Sequence, residues 1–174
     1  MNFYILIKWS ISMDKIGKSK FVSSVIFVGD ISKSKNFYHK ILDQKIEMDF
    51  GKNITFEGGL SLWDGNYAHE ITGLNQPISG LWGKNNLEIY FETEELDKQF
   101  KKLKKEKIDF VHSIIEQPWG QRCFRVYDPD HHIVEFGEPM HIVVLRCHDN
   151  GMDVKEINKK TLMPINIINK IIGV

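Results

Sequence analysis

The sequence predicts an α+β protein in which two βαβββ modules form a curved mixed sheet around a cup. The first observation is that one strand, one helix and three short strands occur in this order twice within residues 21–138. The second is that a glycine-containing polar segment separates the two occurrences, and the third is a helical pattern at the end of the chain. We expect module one at residues 21–64, module two at residues 86–138 and a short C-terminal helical extension at residues 141–174.

Module one begins with a short apolar run of β type, Ser23–Val28. A helix is predicted over Ser32–Leu42, because apolar residues recur there at helical spacing, with Asp30 or Ser32 as the N-cap. Glycines mark the turns between the next three strands, which are predicted near Lys45–Asp49, Asn53–Glu57 and Leu60–Trp63.

Module two follows a long polar loop that is predicted from about Asp64 to Asn85, where glycines and a proline recur. Its first strand is predicted at Asn86–Glu92. The next helix, Thr93–Lys107, has acids in its first turn and lysines at its end, as the helix dipole favours. The last three strands are predicted near Phe110–Ile115, Arg122–Tyr127 and His131–Gly137.

The two ends of the chain lie outside this repeat. Residues 1–20 are predicted to be an N-terminal extension, with Met13 as an alternative start, and the apolar run Met1–Ser12 is far shorter than the about 20 residues of a membrane span. Residues 152–172 are predicted to form two short helices that serve as a packing or dimer-clasp element. A helix-turn-helix is the alternative. Their shared core is predicted to be Val154, Ile157, Leu162, Ile165, Ile168 and Ile172.

The charge balance excludes some partners. The chain has 23 basic and 23 acidic residues among 174, so it lacks the positive excess that nucleic acid or an anionic membrane requires. Cys123 and Cys147 are far apart in sequence and form no CxxC motif. A reduced, cytoplasmic protein is the simplest interpretation.

Strand periodicity predicts two carboxylates on the cup side of module two. In Asn86–Glu92, Glu88 and Tyr90 lie on the face opposite the apolar positions, and in the last strand Glu135 does the same. Two acids that face one low-dielectric cup raise each other's pKa, so one of them can carry a proton. His131 and His132 are adjacent, so they cannot easily bind one ion, and they are predicted to be turn residues.

Four segments resemble, in the right order, the vicinal-oxygen-chelate superfamily of glyoxalases, bleomycin-resistance proteins and ring-cleaving dioxygenases. They are KFVSSVIFVGDISKSKNFYHKILD, ITFEGGLSLWDG, LEIYFETEELDKQFKKL and PWGQRCFRVYDPDHHIVEFGEP. The resemblance covers residues 21–140 and implies the glyoxalase/bleomycin-resistance fold. It also implies a homodimer and a small-molecule ligand in the cup between the modules.

Catalytic members of this superfamily carry a divalent metal that is bound by His, Gln or Glu. The resemblance places the ligand positions at Ser23, near Ser61–Trp63, at Glu88 and at Glu135. Two glutamates alone bind Zn²⁺ or Ni²⁺ weakly, so His69 is the candidate for a third ligand. We expect no cofactor, or a divalent Zn, Ni, Co or Mn ion if the protein is an enzyme.

The resemblance also implies which other residues line the cup. Flat apolar ligands stack on aromatic rings, and an arginine on the cup face pairs with a ligand anion. The ligand-binding candidates are Ser23, Trp63, Tyr90, Trp119, Arg125 and Tyr127.

Three functions remain open. The leading hypothesis is a metal-independent binding protein of the bleomycin-resistance type, which sequesters a small aromatic or amphipathic molecule. The alternative is a lyase or isomerase resembling glyoxalase I, with Glu88 and Glu135 as metal ligands and catalytic residues. The third is a metabolite-sensing regulator that contacts a partner through its C-terminal helices.

Overall fold

The computed structural model describes residues 21–73 and 82–174, and these residues form two four-stranded mixed sheets with flanking helices. This confirms the predicted α+β architecture of two βαβββ modules followed by C-terminal helices. The predictions for residues 1–20, including the alternative start at Met13, lie outside the described residues.

Module one has strand order β1-β4-β3-β2, in which β1 is parallel to β4 and the other neighbours are antiparallel. Asp30 is the N-cap of its helix, because its carboxylate accepts hydrogen bonds from the backbone N–H groups of Ser32 and Lys33, both at 3.0 Å. The elements are β1 (Ser24–Val28), α1 (Ile31–Lys35, continued by a π-helical segment at Asn36–Ile41), β2 (Ile46–Asp49), β3 (Asn53–Phe56) and β4 (Leu60–Asp64).

The prediction of one long loop after β4 is wrong, because helix α2 occupies Gly65–Thr72. Asp64 caps it by accepting a hydrogen bond from the backbone N–H of Tyr67, and Gly73 ends it in a left-handed conformation. Gly65 is not a turn residue. A Cβ at this position would lie 2.3 Å from the ring of Trp82, so the glycine permits close packing instead.

Module two repeats the order as β5-β8-β7-β6, with β5 parallel to β8. Its helix is shorter than predicted, since the first residues after β5 form a turn. The elements are β5 (Glu88–Glu92), α3 (Leu96–Lys105), β6 (Phe110–Glu116), β7 (Arg122–Tyr127) and β8 (Ile133–Gly137).

One hydrophobic core joins the two modules. Around Phe124, the rings of Phe100 and Phe136 have centroids 5.3 and 5.1 Å away, and residues of β1, β3 and α1 belong to the same cluster. The strand faces that carry this core are the ones the alternation predicted: Ile89 and Phe91 on β5, and Val134 and Phe136 on β8. The opposite face of each sheet is therefore left for the cup.

The turn between β7 and β8 ties module two to helix α1. The Tyr38 hydroxyl donates to Asp128 Oδ2 at 2.9 Å, and the Ser34 hydroxyl donates to Asp130 Oδ2 at 3.1 Å. His132 Nδ1 also lies 3.0 Å from Asp128 Oδ2, while His131 adopts a left-handed backbone conformation in the turn. Both histidines are turn residues, as predicted. Asp128, Tyr38 and Ser34 are buried, so these bonds replace water that cannot reach them.

The C-terminal extension has three helices, one more than predicted: α4 (Met140–Asp149), α5 (Val154–Thr161) and α6 (Ile165–Ile172). They enclose a second small core that includes Val143, Ile157 and Ile168. Leu162 was predicted to join this core, but it ends α5 in a left-handed conformation and is 83% exposed. None of the described helices is long and apolar enough to cross a membrane.

We expect Tyr38→Phe to lower the free energy of unfolding by about 1–2 kcal/mol, because it leaves a buried carboxylate without one hydrogen bond. Urea denaturation measures this loss. Tyr67→Phe is the control, since the Tyr67 ring lies against Lys52 on the surface and not in the link between modules. Equal losses in the two variants would contradict the proposed importance of the Tyr38–Asp128 bond.

Candidate functional site

A row of polar side chains crosses the cup face of module two. The strand register pairs Tyr90 with Glu135, Glu135 with Arg125 and Arg125 with His112, so one residue comes from each of β5, β8, β7 and β6. Side chains that are directly opposite on one face of a sheet are about 5 Å apart at Cβ, close enough to interact. The two glutamates predicted for the cup are therefore part of a larger cluster.

Arg125 is at the centre of this cluster. Its Nε donates to Glu88 Oε2 at 2.5 Å, and its Nη2 forms an ion pair with Glu135 Oε2. Its Nη1 lies 3.2 Å from His112 Nε2 and 3.8 Å from the Sγ of Cys123. The guanidinium therefore bridges both carboxylates and contacts two further side chains.

The tautomer of His112 follows from its two contacts. Its Nδ1 lies 2.7 Å from the carbonyl oxygen of Ser113, which can only accept, so Nδ1 carries the proton. Nε2 then has a free lone pair that accepts from Arg125 Nη1.

Glu135 is the most buried charged residue of the row, with 4% of its surface exposed. Burial raises the pKa of Glu135, and the nearby Glu88 carboxylate raises it further, whereas Arg125 acts in the opposite direction. Although Oε2 is ion-paired with Arg125, it accepts no well-directed hydrogen bond from any described residue.

The side chains of Tyr90 and Trp119 are joined by the amide of Gln121. Trp119 Nε1 donates to Gln121 Oε1 at 3.0 Å, and Gln121 Nε2 donates to the Tyr90 hydroxyl at 2.8 Å. Both rings remain accessible, with Tyr90 45% and Trp119 40% exposed.

Burial raises the pKa of Tyr90 to about 12, so its hydroxyl stays protonated and donates to Glu92. Gly137 makes room for Tyr90, since a Cβ there would lie 3.0 Å from the ring.

The C-terminal extension holds the turn that carries Trp119. Arg146 on α4 donates to the carbonyl oxygen of Gly120 at 2.5 Å and to the buried carboxylate of Glu138 at 2.8 Å. Lys160 on α5 reaches Glu116, at the start of the same turn, at 2.7 Å. The orientation of Trp119 therefore depends on helices that lie outside the repeated modules.

Module one contributes an aromatic cluster of its own. The ring of Trp63 packs edge-on against Phe27 at 6.0 Å between centroids. Trp82 contacts Phe27 at 6.2 Å and His69 at 5.3 Å. His69, on α2, thus packs among aromatic rings. Tyr127 stacks on His131 at 4.8 Å at the far end of β7, and Ser23 directly precedes β1.

A cleft of about 430 Å³ lies between the two modules, a volume typical of small-molecule sites. Residues of β1 and β5 line it from the two sides, which places it where the modules meet. Among its lining residues are Ser24, Ile26, Leu60, Glu88, Tyr90 and Phe91.

The donor set does not fit a divalent metal ion. The guanidinium of Arg125 lies between Glu88 and Glu135 and forms an ion pair with each of them. The two positions in module one hold serine or apolar side chains. Among residues 21–73 and 82–174 no three His, Cys, Asp or Glu side chains are grouped to hold a metal, so Glu88, Glu135 and His69 form no such set.

The chain belongs to the glyoxalase-like domain family, because residues 21–141 match the model of that family. This confirms the resemblance to the vicinal-oxygen-chelate superfamily. The helices α5 and α6 lie beyond the matched range. No protein of curated function matches the chain.

Several solved structures share the fold. A protein of unknown function from Agrobacterium tumefaciens str. C58 is 36% identical, with a TM-score of 0.66 over 72% of this chain and 98% of that one. A glyoxalase/bleomycin resistance protein/dioxygenase from Nocardioides is 22% identical, with a TM-score of 0.59 over 73% and 87%. A lactoylglutathione lyase from Agrobacterium tumefaciens is 20% identical, with a TM-score of 0.56 over 71% and 96%. Because the last two structures are only 22% and 20% identical to this chain, their similarity shows a shared fold and nothing more.

Four residues of the cluster were not found from the sequence: His112, Gln121, Cys123 and Arg146. His112 was missed because register shifts on both sides of it in β6 break the simple alternation. Gln121 contacts Tyr90 and Arg146 contacts the turn that carries Trp119. Both contacts join segments that are far apart in sequence, so no local sequence pattern predicts them. Cys123 could have been placed by counting two residues back from Arg125 on β7.

We expect Glu135→Gln to change how stability depends on pH. Burial raises the pKa of Glu135, so the folded protein binds a proton that the unfolded chain releases. The ordinary pKa of a glutamate is about 4.3. Above that pH the free energy of unfolding of the wild type should fall relative to that of the variant, and the fall should end once the pH exceeds the raised pKa of Glu135 in the folded protein. Urea denaturation between about pH 4 and about pH 8 measures the difference. The exposed Glu57→Gln is the control, and parallel curves for wild type and Glu135→Gln would contradict the expectation.

We expect Arg146→Met to lower the unfolding free energy by about 2 kcal/mol, because the buried Glu138 carboxylate loses a charged hydrogen bond. The indole N–H resonance of Trp119 should also move toward that of a free tryptophan, since the Gly120 carbonyl is released. Lys155→Met removes one charge from the same extension and should change neither quantity. An unchanged Trp119 resonance in Arg146→Met would show that α4 does not hold the turn.

Proposed function

We propose that the protein binds a small planar molecule that carries positive charge, in the cup of module two and without a metal ion. The observation that carries this proposal is the bridging of Glu88 and Glu135 by Arg125. A fixed guanidinium supplies the positive charge that two neighbouring carboxylates need. The family membership supports small-molecule binding in general.

The charge of the cup supports a cationic ligand. Glu88, Glu92 and Glu135 contribute three carboxylates to the region around Tyr90, and Arg125 contributes one guanidinium. The guanidinium is already engaged by two acids, which leaves little capacity for a ligand carboxylate. An amine or amidine on the ligand would instead find the exposed carboxylate of Glu92 as an acceptor.

The two aromatic side chains support a planar ligand. Tyr90 and Trp119 are each about half accessible, and Gln121 fixes both in place. A ring system that lies on such a platform gains dispersion and cation–π attraction without first ordering the side chains. The binding therefore combines a fixed aromatic surface with carboxylates that select for charge.

A homodimer belongs to the same proposal. Apolar side chains remain exposed on strands of both modules, including Val25 on β1 and Val111 and Ile115 on β6. A second copy that covers them would also deepen the cup. The family resemblance supports this assembly.

A glyoxalase-like lyase is the second candidate, since the family resemblance implies that Glu88 and Glu135 are the two ligand positions of module two. This function requires a metal ion that the Arg125 bridge disfavours. If the protein is such a lyase, the wild type should turn over methylglyoxal with glutathione, and Glu135→Gln should abolish this activity.

We expect proflavine, a planar cation, to bind and to quench tryptophan fluorescence, with no change on addition of a chelator. Trp119→Ala should weaken its binding about tenfold, because the ring loses one stacking face. Phe50→Ala, at the exposed end of β2, is the matched control and should have no effect. Equal affinity for 9-anthracenecarboxylate, an anion with three fused rings, would contradict the charge selection. Binding that a chelator abolishes would favour the metal-dependent alternative.

A further inference from the structure

We propose that the protein has a second ligand site, a cavity beside Trp82 that binds a small aromatic alcohol of the phenol class through the imidazole of His132. The cavity measures about 300 Å³ and lies between β1 of module one and the residues that precede β5 and β8 of module two. This volume is at the lower end of the range for small-molecule sites, which suits a ligand with a single ring. We call it the Trp82 cavity, and its lining includes Val25, Phe27, Trp82, Asn86 and His132.

The inference goes beyond the proposed function. The cup carboxylates and Arg125 are not among the described residues that line the Trp82 cavity. The two sites therefore recognise different chemistry, a cation in the cup and a hydroxyl in the Trp82 cavity.

A buried carboxylate fixes the imidazole of His132. The Nδ1 atom of His132 lies 3.0 Å from Asp128 Oδ2, and the side chain of Asp128 is fully buried. The Tyr38 hydroxyl donates to the same oxygen at 2.9 Å. Burial and the Asp128 carboxylate raise the pKa of Tyr38 well above its usual value, so this hydroxyl keeps its proton. Oδ2 is therefore the acceptor toward both side chains, and Nδ1 of His132 is the donor.

The second ring nitrogen of His132 is left for a ligand. Nε2 has no hydrogen-bond partner among residues 21–73 and 82–174, while His132 is only 6% exposed and lines the cavity. A polar atom of a buried side chain that lacks a partner costs free energy, which a ligand that hydrogen-bonds to it restores. A hydroxyl both donates and accepts, so it suits Nε2 with or without a proton on that nitrogen.

The segment that carries Trp82 packs directly on the backbone beside His132. The Gly83 N–H donates to the carbonyl oxygen of Asp130 at 2.8 Å. A Cβ at Gly83 would lie 2.0 Å from the carbonyl oxygen of His131, so any other residue would push this segment away. The glycine thereby brings Trp82 and His132 to the same cavity.

The ring of Trp82 is fixed as one wall of the cavity. It lies over two glycines, since a Cβ at Gly65 would be 2.3 Å from the ring and one at Gly29 would be 3.1 Å from Nε1. Phe27 meets the ring edge-on, with 6.2 Å between centroids. A small aromatic ring gains dispersion and edge-to-face attraction against such a wall. The cavity thus combines fixed aromatic walls with one fixed polar atom, which is the chemistry that recognises a phenol.

The experiment is a titration of the full-length protein with 4-fluorophenol, followed by fluorine NMR. We expect saturable binding with a Kd of about 1 mM. The Nε2 resonance of His132 should shift at saturation in spectra of the ¹⁵N-labelled protein, whereas the resonances of the exposed His148 should not. 4-Fluorotoluene, which has the same ring without the hydroxyl, should bind about tenfold more weakly, because it leaves Nε2 unpaired.

Two variants test where the phenol binds. His132→Phe keeps an aromatic ring and removes both nitrogens, so the affinity for 4-fluorophenol should fall about tenfold, to that of 4-fluorotoluene. Val25→Trp fills the cavity from its exposed side and should abolish the binding of both probes, which decides the matter if His132→Phe does not fold. Val111→Trp, the same change at an exposed valine of β6, is the matched control and should bind as the wild type does.

The outcomes separate this site from the proposed function. No saturable binding of 4-fluorophenol, equal affinity for the two probes, or binding that Val25→Trp leaves unchanged overturns the second site and leaves the cationic cup intact. Trp119→Ala, which weakens binding in the cup, should not alter the affinity for 4-fluorophenol. A loss of affinity in that variant would place the phenol in the cup and would also overturn the second site.

Discussion

The buried carboxylate of Glu135 is the constraint on which the cup of module two depends. An ionised carboxylate loses several kcal/mol of hydration when it is removed from water, so a buried one needs a cation or a proton. Arg125 is directly opposite on the neighbouring strand and supplies the cation. The guanidinium is wide and has several donors, so Arg125 also fixes Glu88 and His112. One charged side chain of β7 is thereby linked to the other three strands of module two.

Pairing of a buried carboxylate with arginine recurs at Glu138. There the pairing couples the C-terminal extension to the cup. Glu138 is as buried as Glu135 and receives hydrogen bonds from Arg122 and Arg146. Arg146 also holds the Gly120 carbonyl in the turn that carries Trp119. Helix α4, most of which lies beyond the family match, is therefore connected to the turn that carries Trp119 through the guanidinium of Arg146 and the buried carboxylate of Glu138.

The sequence predicted the fold well because strand alternation and turn residues are local signals. The faces of β5 and β8 were predicted correctly, and so were the turn positions of His131 and His132. The helix α2 was missed because Gly65 was interpreted as a loop residue, although it serves close packing against Trp82. In the site, Glu88, Glu135 and Tyr90 follow from parity, whereas the Arg125 bridge does not. Which cation approaches a carboxylate depends on strand register, and the register of β6 contains shifts that no pattern reveals.

The two modules present different chemistry on their corresponding sheet faces. Module two carries the charged row of Glu135 and Arg125, while the corresponding face of module one carries the rings of Phe27 and Trp63. A metal centre shared by both modules would require donors on each, and module one presents hydroxyl and aromatic groups instead. This asymmetry supports the proposed function, because the carboxylates that favour a cationic ligand lie in module two. The cation that lies between Glu88 and Glu135 is the side chain of Arg125, so the positive charge that these carboxylates require comes from the chain itself.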